Sequence, residues 1–238
     1  MANNIFETLI NVVVGTVSGV AGVVRNSVAS LEDFFFVRVG GLPFVVLGAR
    51  QVGKSTLIEW LRKNMKDMEG FNPEPTAAGG DEVSEFRAKV GDTHMKMKVT
   101  RDVGGEYAMW DTDWVELFRE TQPRGIIFVM DHQNIIQQKD ALNFVMQMID
   151  DEPAASRHLK ALFVLVNKSD LWGDTTTLDE IMANYRNEIK RMGTQAERVG
   201  YKYAIAQGSL YAGVGVKAMM KEFFNILRPK SRSRRELV

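Results

Sequence analysis

Gly48, Gly53, Lys54 and Ser55 lie in the stretch "GARQVGKST" (48–56) at the spacing G-x-x-x-x-G-K-[ST]. Two glycines let a backbone turn tightly and approach a ligand closely, so successive N–H groups can converge on phosphate oxygens. The amides of Gly48, Gln51, Val52, Gly53, Lys54, Ser55 and Thr56 belong to this cradle, and a helix opening there adds the positive end of its dipole. Lys54 is suited to neutralising β- and γ-phosphates, and the Ser55 hydroxyl to binding Mg²⁺. Two further stretches carry complementary chemistry. In "DVGG" (102–105), Asp102 can hold the Mg²⁺ shell, and Gly105 can offer its amide to a γ-phosphate. In "NKSD" (167–170), the Asp170 carboxylate can accept two N–H bonds from a guanine edge, which adenine cannot supply. Asn167 is placed to tie this loop to the phosphate loop, and the Lys168 stem to cover the base.

These residues need elements to hold them. "FVVLG" before the loop is a short apolar run of the kind a buried parallel strand requires. Leu57, Ile58, Leu61 and Met65 recur at helical spacing after it, which predicts a helix over 55–68. "EFRAKV" and "HMKMKV" alternate apolar and charged residues about Gly91-Asp92, an antiparallel hairpin with Met95 and Met97 on its core face. "GIIFVMD", "ALFVLVN" and "YKYAIAQ" read as further strands, with helical patterns around 111–121, 135–150, 178–198 and 213–227. Thr177 and Glu180 form a capping box. The expectation is an α/β phosphate-loop NTPase: a mostly parallel six-stranded sheet, one antiparallel strand, and helices on both faces.

Composition sets the boundaries. The chain has 238 residues, enough for one α/β domain with extra length at an end. Formal net charge is zero, so no global field favours a nucleic acid. Cysteine is absent, which removes disulfide and thiol chemistry. Residues 8–24, "TLINVVVGTVSGVAGVV", carry no charge. As a helix they would span roughly 26 Å. Gly15, Gly19 and Gly22 make a small face suited to close helix approach. The segment can span a membrane, lie in its interface, or pack against a protein, including a second copy of this chain. The preceding "MANNIFE" lacks the basic region of a secretory signal, and Ala2 argues against myristoylation. The last residues form a basic tail, with Lys230, Arg232, Arg234 and Arg235, suited to solvent or to anionic lipid. The expected organisation is an N-terminal hydrophobic helix (1–30), a connector (31–42), a nucleotide-binding domain (43–228) and the tail (229–238).

Taken together, "GARQVGKST", "DVGG" and "NKSD" resemble the Ras-like small GTPases in order and spacing. Within that group "DVGGE…WVELFRETQPRGIIFVMD", with Trp114, Phe118, Thr121 and Gln122 in step, is most similar to Arf-like GTPases and to the β subunit of the signal recognition particle receptor. The resemblance implies a membrane-associated switch that binds GTP or GDP with Mg²⁺. It implies that Thr76 binds Mg²⁺ only with GTP present, and that Ser209 and Leu210 in "GSLYAGVGV" meet the base through backbone groups. An effector would read loops 69–80 and 103–113. Two residues depart from the pattern. Glu106 replaces the glutamine that orients the attacking water; it cannot donate an N–H bond toward the γ-phosphate, and it adds negative charge there. Arg50 stands where small residues are common, either in solvent or reaching the phosphates as an arginine supplied in cis. GTP binding therefore follows from the resemblance more directly than fast hydrolysis does. A GTP-loaded scaffold and a self-assembling GTPase are the alternatives.

Overall fold

The structure is a computed structural model that describes residues 41–63, 81–82, 86–90, 93–98 and 101–228, with side chains for 41–63 and 101–228. The N-terminal segment, Thr76 and its loop, and the basic tail lie outside the described residues, as does the side-chain face of the hairpin.

Alternating apolar runs and amphipathic helices give a mixed α/β domain around a parallel sheet. Four runs form its centre: β1 (Leu42–Leu47), β6 (Gly125–Met130), β7 (Ala161–Val166) and β8 (Lys202–Gln207). The pairings β1–β6, β6–β7 and β7–β8 are all parallel. Beside β1 lies β4 (Thr93–Lys98), parallel to it, and β3 (Phe86–Val90) pairs antiparallel with β4, giving the order β3-β4-β1-β6-β7-β8. Two short strands, β2 (Asp81–Glu82) and β5 (Arg101–Asp102), pair separately and lead into the "DVGG" segment.

Every residue of β1, β6 and β7 is buried, because helices cover both faces. The period-two alternation sends successive side chains to opposite cores. Phe44, Val46, Ile127, Val129, Phe163 and Leu165 pack under α1 (Lys54–Arg62) and α8 (Val216–Leu227). Val45, Leu47, Ile126, Phe128, Leu162 and Val164 pack under α2 (Val115–Thr121), α3 (Ile135–Asp151) and α7 (Arg186–Val199). Phe44 meets the rings of Phe223 and Phe224 edge-on at centroid distances of 6.0 and 5.4 Å, a favoured aromatic geometry. Three short helices complete the chain order: α4 (Pro153–Ser156), α5 (Ser169–Trp172) and α6 (Leu178–Met182).

Three helical boundaries differ from the sequence expectation. The pattern around 111–121 opens with a 3₁₀ turn, Tyr107–Met109, and a π turn, Trp110–Trp114, before α2 begins. Trp110 and Trp114 flank this turn, both buried and stacked at 5.3 Å. The pattern at 178–198 divides into α6, a 3₁₀ turn at Ala183–Tyr185, and α7, with the fully buried Tyr185 at the break. The capping box at Thr177 and Glu180 is present at the start of α6. The last helix starts at Val216, because a bridge between Ser209 and Val214 first closes the loop before it.

Candidate functional site

In an open parallel sheet, ligands sit outside the carboxyl ends of the strands, where the chain departs in two directions. The phosphate loop leaves β1 there, and Asp131, Asn167 and Gly208 follow β6, β7 and β8. The "NKSD" motif therefore comes beside "GARQVGKST" through strand order, although more than a hundred residues separate them.

Asn167 joins the two. Its Nδ2 donates to the Val52 carbonyl at 2.8 Å, while its Oδ1 accepts the Leu210 amide at 3.1 Å. Its own carbonyl accepts from Trp172 Nε1 at 2.9 Å, and its amide donates to the Met130 carbonyl at 2.7 Å. The side chain is 3% exposed, so these bonds form away from water, where leaving either partner unpaired is costly. Gly53 makes the approach possible. A Cβ there would lie 2.5 Å from Asn167 Nδ2, and φ is +105°.

The Ser209 amide donates to the Val214 carbonyl, and the Leu210 amide to Asn167. The first bond closes the loop on itself, and the second fastens it to Asn167. Asp170, in the first turn of α5, is exposed at the same edge.

Lys168 takes φ +61° and its Nζ donates to Asp131 Oδ2 at 2.7 Å. Asp131 is 4% exposed, and its other oxygen accepts from the Gln133 amide and Gln138 Nε2. Its own amide donates to Gln138 Oε1. The buried carboxylate thus fixes the ammonium, so the aliphatic stem of Lys168 is held as a strut. Sequence reasoning passed over Asp131 and Gln138; two polar residues bracketing a loop after a fully apolar strand were the available signal. A small cleft of about 40 Å³ is lined by Ala49–Val52, Asp131, Asn134 and Lys168, among others. Among the described residues, four that are not glycine have positive φ, and Gln51, Asn134 and Lys168 of those line this cleft. Such backbone strain persists where surrounding structure enforces it and concentrates at functional sites.

On the phosphate side, Lys54 is buried and donates to the Ala49 carbonyl at 3.0 Å. Burial pushes its amine down to about 8, and the nearby negative charge of Asp102 offsets part of that fall. Asp102 is itself 8% exposed. Ser55 follows Lys54 in the first turn of α1. A buried carboxylate facing this lysine, with a hydroxyl next to it in the chain, is the hard-oxygen chemistry that Mg²⁺ prefers. Among the described residues no group of three or more His, Cys, Asp or Glu side chains is placed to hold a metal. The donors present therefore fit an ion that takes one or two protein oxygens and completes its shell with water and phosphate.

The "DVGG" segment lies directly on the phosphate loop. A Cβ on Gly105 would fall onto the Ala49 carbonyl and sit 2.5 Å from the Arg50 amide nitrogen. Behind it, Trp114 Nε1 donates to the Gly104 carbonyl at 2.8 Å and Trp110 Nε1 to the Gly105 carbonyl at 3.4 Å. Arg50 and Glu106, the two departures, meet: Nη1 and Oε1 are 3.3 Å apart, with side chains 51% and 49% exposed. Arg50 is thus neither free in solvent nor held by buried groups; its partner in this conformation is Glu106. Of the three histidines, His132 and His158 join none of these clusters, and His94 lies outside the residues with described side chains.

A glycine loop between a buried strand and a helix, an acidic "DxxG" segment packed on it, and an asparagine-tied "NKxD" loop at the same sheet edge define a guanine-nucleotide-binding phosphate-loop fold. The sequence profile of the ADP-ribosylation factor (Arf) family matches residues 37–225. The chain belongs to the Arf family, and so to the GTP-binding small GTPases. No individual curated protein is matched by the chain.

Proposed function

We propose that this Arf-family protein is a membrane-associated molecular switch that binds GTP or GDP with Mg²⁺ and hydrolyses GTP slowly on its own. The observation that carries the reading is Asn167, whose amide group bonds the phosphate loop with one end and the Ser209–Val214 loop with the other. A phosphate cradle and a base-recognition loop have a reason to be fastened so closely when one ligand occupies both.

In this reading the cradle amides and Lys54 hold the phosphates, and Asp170 selects guanine. Ser55 and Asp102 hold Mg²⁺, joined by Thr76 in the triphosphate state; the ion would neutralise charge on the phosphates. Gly105 offers its amide to the γ-phosphate, and an effector reads loops 69–80 and 103–113 as the nucleotide changes. Slow turnover follows from Glu106. Its carboxylate can accept a proton but cannot donate toward the γ-phosphate, and here it is engaged with Arg50. Residues 8–24 and the basic tail supply two weak membrane attachments, which together suffice for stable anchoring on a cytoplasmic face. Among the described residues no helix is long and apolar enough to cross a membrane, and 8–24 lie outside them.

The test is base exchange. Asp170→Asn should turn the preference from guanosine to xanthosine nucleotides, a swing on the order of 10⁴-fold when a paired edge is reversed. Competitive titration of GDP and XDP against the full chain reads it. Unchanged preference would remove Asp170 from the base site.

A further inference from the structure

Glu106 and Arg50 are 56 positions apart, and each is the residue that breaks the family pattern on its own loop. The structure brings them to 3.3 Å. Their backbones are also in register, because Gly105 rests on Ala49 and Arg50 with no room for a side chain. The contact is therefore fixed from beneath by backbone packing and from behind by the Trp110 and Trp114 bonds to Gly105 and Gly104. The pair is the half-exposed part of this stack, and Glu106 directly follows the Gly105 whose amide is assigned to the γ-phosphate.

We infer that the Arg50–Glu106 pair is a clasp that discriminates against the third phosphate, biasing the site toward the diphosphate. The inference rests on the nucleotide reading above. A γ-phosphate brings a second anion to a guanidinium that already has one. Arg50 can make the shorter, charge-assisted bonds to phosphate only by leaving Glu106. Glu106 would then face the γ-phosphate as an uncompensated like charge. A diphosphate ends before this point and leaves the pair closed. Glu106 thus acts as a specificity-determining residue through Arg50, and Arg50 is shared between a carboxylate in one state and a phosphate in the other.

The size of the effect is bounded by exposure. Half-exposed ion pairs contribute little in water, so each single change should move the triphosphate-to-diphosphate affinity ratio by about three- to tenfold. The experiment titrates the full chain with fluorescent methylanthraniloyl GDP and with the matching non-hydrolysable imidotriphosphate. Glu106→Gln should raise triphosphate affinity and leave diphosphate affinity within about twofold. Arg50→Ala should lower triphosphate affinity alone, and adding Glu106→Gln to it should restore most of the loss by removing the repulsion. Thermal melts of each variant separate a folding defect from a binding one. If both nucleotides change together, or neither changes, the clasp is overturned while guanine-nucleotide binding stands. If wild type binds neither probe, the nucleotide reading itself falls, and the clasp with it.

Discussion

The two halves of the candidate site are built differently. On the base side, Asn167, Asp131, Gln138 and Trp172 are buried and cross-bonded, and each loop is fastened to a neighbouring strand end. On the phosphate side, the joining contact is a half-exposed ion pair resting on a glycine. Buried polar networks hold one arrangement because any alternative leaves an unpaired group in a low-dielectric interior. A solvent-facing pair can exchange partners at small cost. The difference fits the proposed tasks, in which the rigid half would fix which nucleotide is held and the looser half would respond to how many phosphates it carries.

The comparison is broken most severely by cutting the rigid half. Asn167→Ala orphans the Val52 carbonyl and the Leu210 amide together, and should cost about 3 kcal/mol of stability with loss of guanine-nucleotide binding. Urea unfolding and nucleotide titration check both; a loss under 1 kcal/mol would show that the loops hold without it. Trp114→Phe removes the bond to Gly104 and leaves a void where the larger indole packed, so about 2–3 kcal/mol is expected. If the tryptophans brace the clasp, that variant should also narrow the response to Glu106→Gln, which the same titrations would reveal.

Lys54 offers a sharper probe through pH. Its folded value of about 8 lies below the ordinary 10.5, so between these values the unfolded chain binds more protons. Stability of the nucleotide-free protein should therefore rise as pH climbs from 8 toward 10.5, and the penalty of burying the ammonium should be fully present below 8. Phosphates favour the charged amine, so nucleotide binding should take up a proton above pH 8, and affinity should fall by up to about tenfold per unit there. Calorimetry in buffers of different ionisation enthalpy measures that uptake; none at pH 9 would mean Lys54 does not meet phosphate. The smallest effect is expected far from the site. Thr177→Ala removes one half of the capping box and should cost about 1 kcal/mol while leaving the diphosphate-to-triphosphate ratio unchanged.

Much of this was legible in sequence where the cause is local. "FVVLG", "GIIFVM" and "ALFVLV" are apolar throughout because both faces are covered, and the capping box at Thr177 depends on residues three apart. The link between Asn167 and the phosphate loop could be anticipated because the type of residue and the loop it ends are both distinctive. The π turn was not legible, since residues 111–121 also satisfy an ordinary helical period, in which side chains four apart share a face as well. The bridge from Ser209 to Val214 was not legible either, because no single residue encodes it. In sequence Arg50 and Glu106 are two separate departures, because nothing in a linear chain says that position 50 lies beside position 106.

All four tryptophans of the chain are buried, and they are distributed unevenly. Trp110 and Trp114 are stacked behind the segment that touches the phosphate loop, Trp172 is bonded to Asn167 on the base side, and Trp60 packs in the opposite core. Closely stacked indoles are coupled chromophores, so a displacement of Gly104 and Gly105 would change the near-ultraviolet dichroism of that pair, while Trp172 stays a fixed reference. If the proposed switch moves that segment, the tryptophan pair would report the phosphate state without a label.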